Sequence, residues 1–183
     1  MGAMTRLIVL LRGINVGGHR KVGMADLRAL LSGLGYTDVA TYVQSGNAVL
    51  TAPEGMAAAP EDAAARIRTA IAEAWGLDVG IVVRTVERWR ATVADNPLEV
   101  PDPARFLVLF AADPIDPDVL ADVDPADRPD EVVALGPDVA YTRHRDGLRY
   151  AKYPDLLARR LPGVTTGRNW RTVLRLLEMA EDG

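Results

Sequence analysis

Apolar positions along this chain form short unbroken runs and helical stripes that follow one another in a repeating order. Residues 6–11, Arg-Leu-Ile-Val-Leu-Leu, make a branched apolar run ended by Arg12-Gly13, the pattern of a buried strand. A loop over residues 13–23 follows. Met24, Leu27, Leu30, Leu31 and Leu34 then recur at helical spacing, with Gly35 where a left-handed C-terminal cap belongs. Residues 38–44 and 47–51 read as two strands of a hairpin turning at Ser45-Gly46. After a linker-like stretch over residues 51–60, the apolar stripe Ala64, Ile67, Ile71 and Trp75, stopped by Gly76, predicts a second helix over 61–75. A strand over 79–84 completes a β-α-β-β-α-β order, the ferredoxin-like unit. Residues 86–94 predict a connecting helix, ended by Asn96-Pro97 because the residue before proline is pushed out of the helical region.

The second half starts again with a strand over 105–110, an Asp/Pro-rich turn and a short helix over 117–123. Strands are predicted over 131–135, 139–144 and 148–150, separated by the turn signals Gly136-Pro137 and Asp146-Gly147. Helices over 155–161 and from about Asn169 to Met179 finish the chain, the last with the apolar stripe Trp170, Val173, Leu174 and Leu177. The fold class is therefore α+β: two ferredoxin-like (α/β plait) halves with antiparallel sheets and helices packed on one face. The first half spans 4–85, a connecting helix and linker 86–104, and the second half 105–180. The halves share element order without close self-similarity.

Composition narrows the class of function. A hydrophobic fraction of 49%, a charged fraction of 25% and a net charge of -4 are those of a globular protein and argue against broad attraction to nucleic acid or anionic lipid. With no cysteine, a disulfide framework and a thiolate nucleophile are ruled out, which suits a reducing cytoplasm. The start carries no signal-peptide pattern, and the run over 7–11 is far shorter than the roughly 20 residues that span a bilayer. Two histidines without ligand spacing to carboxylates define no metal site, and the acidic stretch 113–130 lacks the glycine and glutamate of a calcium loop. No cofactor is indicated.

Three segments carry candidate chemistry. Arg12-Gly-Ile-Asn-Val-Gly-Gly18 follows the first strand, Tyr42-Val-Gln-Ser-Gly-Asn47 forms the hairpin, and Thr166-Gly-Arg-Asn-Trp-Arg-Thr-Val173 opens the last helix. Together with Asn96-Pro97 they resemble the bacterial domain-of-unknown-function 1697 family, from about Met4 to Ala180. The resemblance implies a compact α/β plait arrangement in two parts, and no established activity.

Read as residues, a glycine-punctuated loop between strand and helix is a setting for anion binding. Exposed amides of Gly13, Gly17 and Gly18 would combine with the charges of Arg12, Arg20 and Lys21. The glycines match neither the dinucleotide fingerprint nor the phosphate loop, and the competing reading is structural, with Asn15 satisfying nearby amides. Ser45, Gly46 and Asn47 offer a hydroxyl and a carboxamide. A nucleophilic Ser45 would need His19 or His144 as its base, whereas a tight hairpin asks for the same three residues. Arg168 and Arg171 at a helix start oppose its dipole unless an anion or an internal carboxylate lies there, and Thr166 or Asn169 can cap.

The candidate ligand-binding set is thus Arg12, Gly13, Asn15, Gly17, Gly18, Lys21, Ser45, Gly46, Asn47, Arg168 and Asn169, for a small anionic or phosphorylated ligand. The alternatives are a protein-interaction or dimerising module, through open sheet edges, and an RNA-binding sheet. The latter is disfavoured because Tyr42 is the one aromatic of the predicted first-half strands. Whether the chain is an enzyme is left open.

Overall fold

The computed structural model describes residues 4–18, 21–56 and 59–182. The chain is α+β and divides into two compact units, Met1–Ala91 with Leu176–Gly183, and Thr92–Arg175.

In the first unit, β1 (Thr5–Leu11), α1 (Met24–Gly33), β2 (Thr37–Tyr42), β3 (Asn47–Ala52), α2 (Pro60–Trp75) and β4 (Ile81–Thr85) follow in order. The sheet runs β2-β3-β1-β4 with every neighbouring pair antiparallel. Central β1 explains its own unbroken apolar run. Leu7, Val9 and Leu11 pack in one core with Leu27 and Leu31 of α1 and Ile67 and Ile71 of α2, while Ile8 and Leu10 on the opposite face are equally inaccessible. Each such side chain contributes about 1.5–3 kcal/mol by leaving water. Within α2 the stripe is set by Ala63, Ile67 and Ile71, with Ala64 half-buried, and the left-handed Gly76 stops the helix as its sequence position implies.

Helix α3 (Val86–Ala94) leads into the second unit. There β5 (Phe106–Ala111), β6 (Glu131–Leu135), β7 (Val139–His144) and β8 (Thr165–Asn169) build a sheet ordered β6-β7-β5-β8, again antiparallel throughout, with α4 (Tyr153–Arg160) between β7 and β8 in the chain. Leu109, Ala111, Ala140, Leu157 and Leu161 form its core. Helix α5 (Trp170–Glu181) ends the chain.

Four expectations are corrected. Residues 117–123 form turns, not a helix. Asp116 and Asp118 direct hydrogen bonds three residues back, from Val119 N to Asp116 O and from Ala121 N to Asp118 O, and the Asp116 carboxylate takes the Asp118 amide. Leu148–Tyr150 is a single 3₁₀ turn rather than a strand, entered through Gly147 at φ +85°. Thr165–Asn169 is strand β8, so the last helix opens at Trp170. Gly167 lies opposite Leu109, where a Cβ would sit 3.2 Å from the side chains of Leu107 and Leu109. On α5 the buried stripe is Trp170, Val173, Leu176 and Ala180, with Leu174 41% exposed. No helix among the described residues is long and apolar enough to cross a membrane.

Candidate functional site

The loop after β1 and the β2–β3 turn meet at one end of the first sheet. Leu11 N donates to Gly46 O at 2.8 Å and Arg12 N to Gly80 O at 2.8 Å, fixing the base of the loop. Asn15, itself left-handed at φ +55°, clamps it. Its Nδ2 donates to Val22 O at 2.9 Å and to Gln44 O at 2.7 Å, and its Oδ1 accepts from Val22 N at 2.8 Å. One carboxamide thus closes the loop and ties it to the hairpin, as the structural reading of Asn15 requires.

The hairpin residues serve the same scaffold. Asn47 is fully buried, and its Nδ2 donates to Tyr42 O at 2.9 Å and to Ser45 Oγ at 3.1 Å. Gly46, buried at φ +84°, lies where a Cβ would come within 2.8 Å of Leu11 Cβ and Ile14 Cδ1. Val43 in the same turn is left-handed at φ +51° and half-exposed, a strained position for a β-branched residue.

Gly13, Gly17 and Gly18 differ from Gly46. All three are exposed with φ of +69°, +61° and +78°, and a Cβ on any of them would meet nothing within 4 Å. They satisfy backbone geometry without being walled in, which leaves their main chain approachable from solvent. Arg12 and Lys21 are exposed on the same loop. His19 and Arg20 lie outside the described residues.

Arg168 and Asn169 belong to the second unit. Arg168 is a buried residue of β8 whose Nη1 donates to Thr166 Oγ1 and Gly167 O, both at 2.8 Å. Burial lowers its pKa to about 10, which keeps it charged at neutral pH. Asn169 caps α5, its Oδ1 accepting from Thr172 N at 2.9 Å. Arg171, in the first turn of the helix, is exposed.

Sequence reasoning passed over a buried pair in the second unit. His144 Nδ1 lies 3.0 Å from Glu131 Oε2, with side-chain exposures of 1% and 8%, beside a cavity of about 210 Å³. Burial pushes the His144 pKa down, and Glu131 opposes that shift. The signal was available in register, since a hairpin turning after Leu135 places Glu131 opposite His144. His144 Nε2 is 2.8 Å from Thr142 Oγ1. No cluster of three metal-ligating side chains exists among the described residues.

A family model described as "Protein of unknown function (DUF1697)" matches residues 4–141, which include the glycine loop and the hairpin turn. The chain is also similar to a solved structure, that of conserved bacterial protein SP0830 from Streptococcus pneumoniae. The two share 26% identity and a TM-score of 0.73, over 97% of this chain and 99% of that one. No curated protein matches.

Proposed function

Since the chain belongs to the DUF1697 family, a membership that assigns no activity, we propose from its geometry that it binds a small anionic or phosphorylated ligand at the loop after β1. The observation that carries this reading is the division of labour among the glycines. Gly46 is built into the scaffold, whereas Gly13, Gly17 and Gly18 are left-handed, exposed and free of overhanging side chains, beside exposed Arg12 and Lys21. Exposed amides with adjacent cations favour negative charge, and a loop held by Asn15 loses little freedom on binding. Asn15, Ser45, Gly46 and Asn47 act as supports. Arg168 and Asn169, bonded within the second unit, are not required.

Thermal unfolding with inorganic phosphate, nucleotides and sugar phosphates tests the reading. A ligand at 100 times its Kd stabilises by about 2.7 kcal/mol, and Arg12→Glu with Lys21→Glu should remove the shift. An absence of any shift, or a shift that survives both substitutions, overturns it.

Both sheets have the same strand order, and the β5-to-β6 turns stand where the first unit has α1, which supports two ferredoxin-like plaits, the second lacking one helix. A second functional reading, contact with another protein or a second copy of the chain, is favoured by the exposed Val16 and Val43 on the loop and its neighbouring turn. A solution mass that rises with concentration, and ceases to with Val16→Ser and Val43→Ser, would support it.

A further inference from the structure

The edge of a sheet is a row of unpaired backbone groups, and three of the four edges here are guarded against a further strand. In β2 the register slips between Thr37 and Ala40, Asp38 is left-handed at φ +49°, and the Arg6 guanidinium donates to Asp38 O at 3.0 Å. Ile81, Val82, Val83 and Arg84 of β4 are buried, as are Thr165, Thr166 and Arg168 of β8. Strand β6 has none of these devices. Its pairing with β7 is regular, its sequence Glu-Val-Val-Ala-Leu holds no lysine or proline, and Val132 is 38% exposed with the other four residues half-buried. Its one charge is tied down, because the Glu131 carboxylate accepts the amides of Lys152 and Tyr153.

The ladder shows which groups of β6 are open. Gly136 N donates to Val139 O and Arg145 N to Asp130 O, both at 2.8 Å, so the even-numbered residues of β6 bond to β7. The N–H and C=O groups of Val133 and Leu135 therefore point away from β7, and no other group among the described residues bonds them. The side chains of Val133 and Leu135 pack on the core with Leu109 and Leu157, whereas Val132 stands on the opposite face beside its cross-strand neighbour Arg143. A cavity of about 420 Å³ adjoins Val132 and Arg143, with Pro101 and Pro129 in its wall. Of its other charged residues, Arg105 lies 3.3 Å from Asp102 and Arg145 lies 3.6 Å from Asp130. Those pairs offset one another. Among the described residues no hydrogen bond or ion pair engages the Arg143 guanidinium, so the cavity is left with one positive charge in excess.

We propose that β6 accepts an extended segment of a partner protein as a fifth strand, one with acidic residues at alternate positions. Main-chain bonds to Val133 and Leu135 supply the pairing, and alternate side chains supply the selectivity. One set of side chains continues the apolar row of Val133 and Leu135, while the other faces the cavity, where a carboxylate neutralises Arg143. The reach suffices: strands lie about 4.8 Å apart, so the added strand stands roughly 10 Å from β7, which an arginine and a glutamate side chain span together. The surface lies wholly in the second unit and stands or falls independently of the glycine loop.

The test is an amide NMR titration of the full chain with the capped peptide Val-Glu-Val-Glu-Val, using Val-Gln-Val-Gln-Val as the uncharged control. Saturable shifts at the amides of Val133 and Leu135, with slowed hydrogen exchange at both, are expected for the acidic peptide. The control should bind about tenfold more weakly, the usual scale for a hydrogen bond to a charged group, and Arg143→Gln should bring the acidic peptide down to the same level. Val133→Pro removes a single outward N–H, a substitution that an edge strand tolerates, and should abolish binding of both peptides. If that variant loses the native spectrum, Arg143→Gln decides alone. The proposal fails if the acidic peptide does not bind, if the two peptides bind equally, or if its binding survives Arg143→Gln unchanged. It fails also if a folded Val133→Pro still binds. A solution mass that rises with concentration and ceases to in Val133→Pro, without peptide binding, would overturn it in favour of a second copy of the chain on this edge.

Discussion

Replacing Gly46 by alanine separates the scaffold glycine from the surface glycines. At φ +84° an alanine enters the left-handed region, which costs about 1–2 kcal/mol for an L-residue. Its Cβ would also stand 2.8 Å from Leu11 Cβ and from Ile14 Cδ1, and overpacking of this kind costs about 1–3 kcal/mol more. The two contributions sum to about 2–5 kcal/mol. Gly17→Ala, at φ +61° with no atom within 4 Å, should lose only the conformational part, about 1–2 kcal/mol. Urea unfolding followed by tryptophan fluorescence reads the difference, with Trp75 and Trp89 reporting on the first unit. Gly46→Ala should shift the midpoint well below that of Gly17→Ala at an unchanged slope. Equal midpoints, or a larger loss at Gly17, would refute the assignment of Gly46 to the joint between loop and hairpin.

Three further outcomes are expected. Val43→Asn should raise stability by about 1 kcal/mol in urea unfolding, because asparagine tolerates the φ of +51° that strains a β-branched side chain. Asn169→Ala removes the oxygen that caps α5 and should cost about 1 kcal/mol, read as a lower unfolding midpoint. For His144 the folded-state pKa lies below the ordinary 6.5, so the unfolded chain binds more protons between the two values. Its contribution is complete above pH 6.5 and is lost as pH falls from there toward the folded value. The stability difference between the parent and His144→Gln should shrink over that window and level off below it.

The elements that were legible in the sequence are those whose partners impose a local pattern. The unbroken run of β1 announced a strand buried on both faces, the leucine spacing announced α1, and Gly76 marked the end of α2. Strand β8 was not legible, because Thr-Thr-Gly-Arg-Asn has no apolar alternation. It becomes a strand only by pairing with β5, where Gly167 admits the side chains of Leu107 and Leu109. The cap by Asn169 was nevertheless readable, since it depends on a residue three positions away. The Asp/Pro segment misled for the opposite reason. Its leucine and valines have helical spacing, but the aspartates offer the backbone nearer partners. At the glycine loop the residue types were readable but their roles were not. That Gly46 packs on Ile14 while Gly17 faces open space follows from the approach of the hairpin to β1, a long-range fact. The Glu131–His144 pair likewise arises from cross-strand register.

The measurement that bears most directly on the proposed function is an amide NMR titration of the full chain with inorganic phosphate. Saturable shifts concentrated at Gly13, Gly17 and Gly18, and absent from the charge-reversed Arg12→Glu variant, are the expected result. Amides of these glycines that stay unmoved at phosphate concentrations that raise the unfolding temperature, or shifts gathered on another part of the surface, would contradict it.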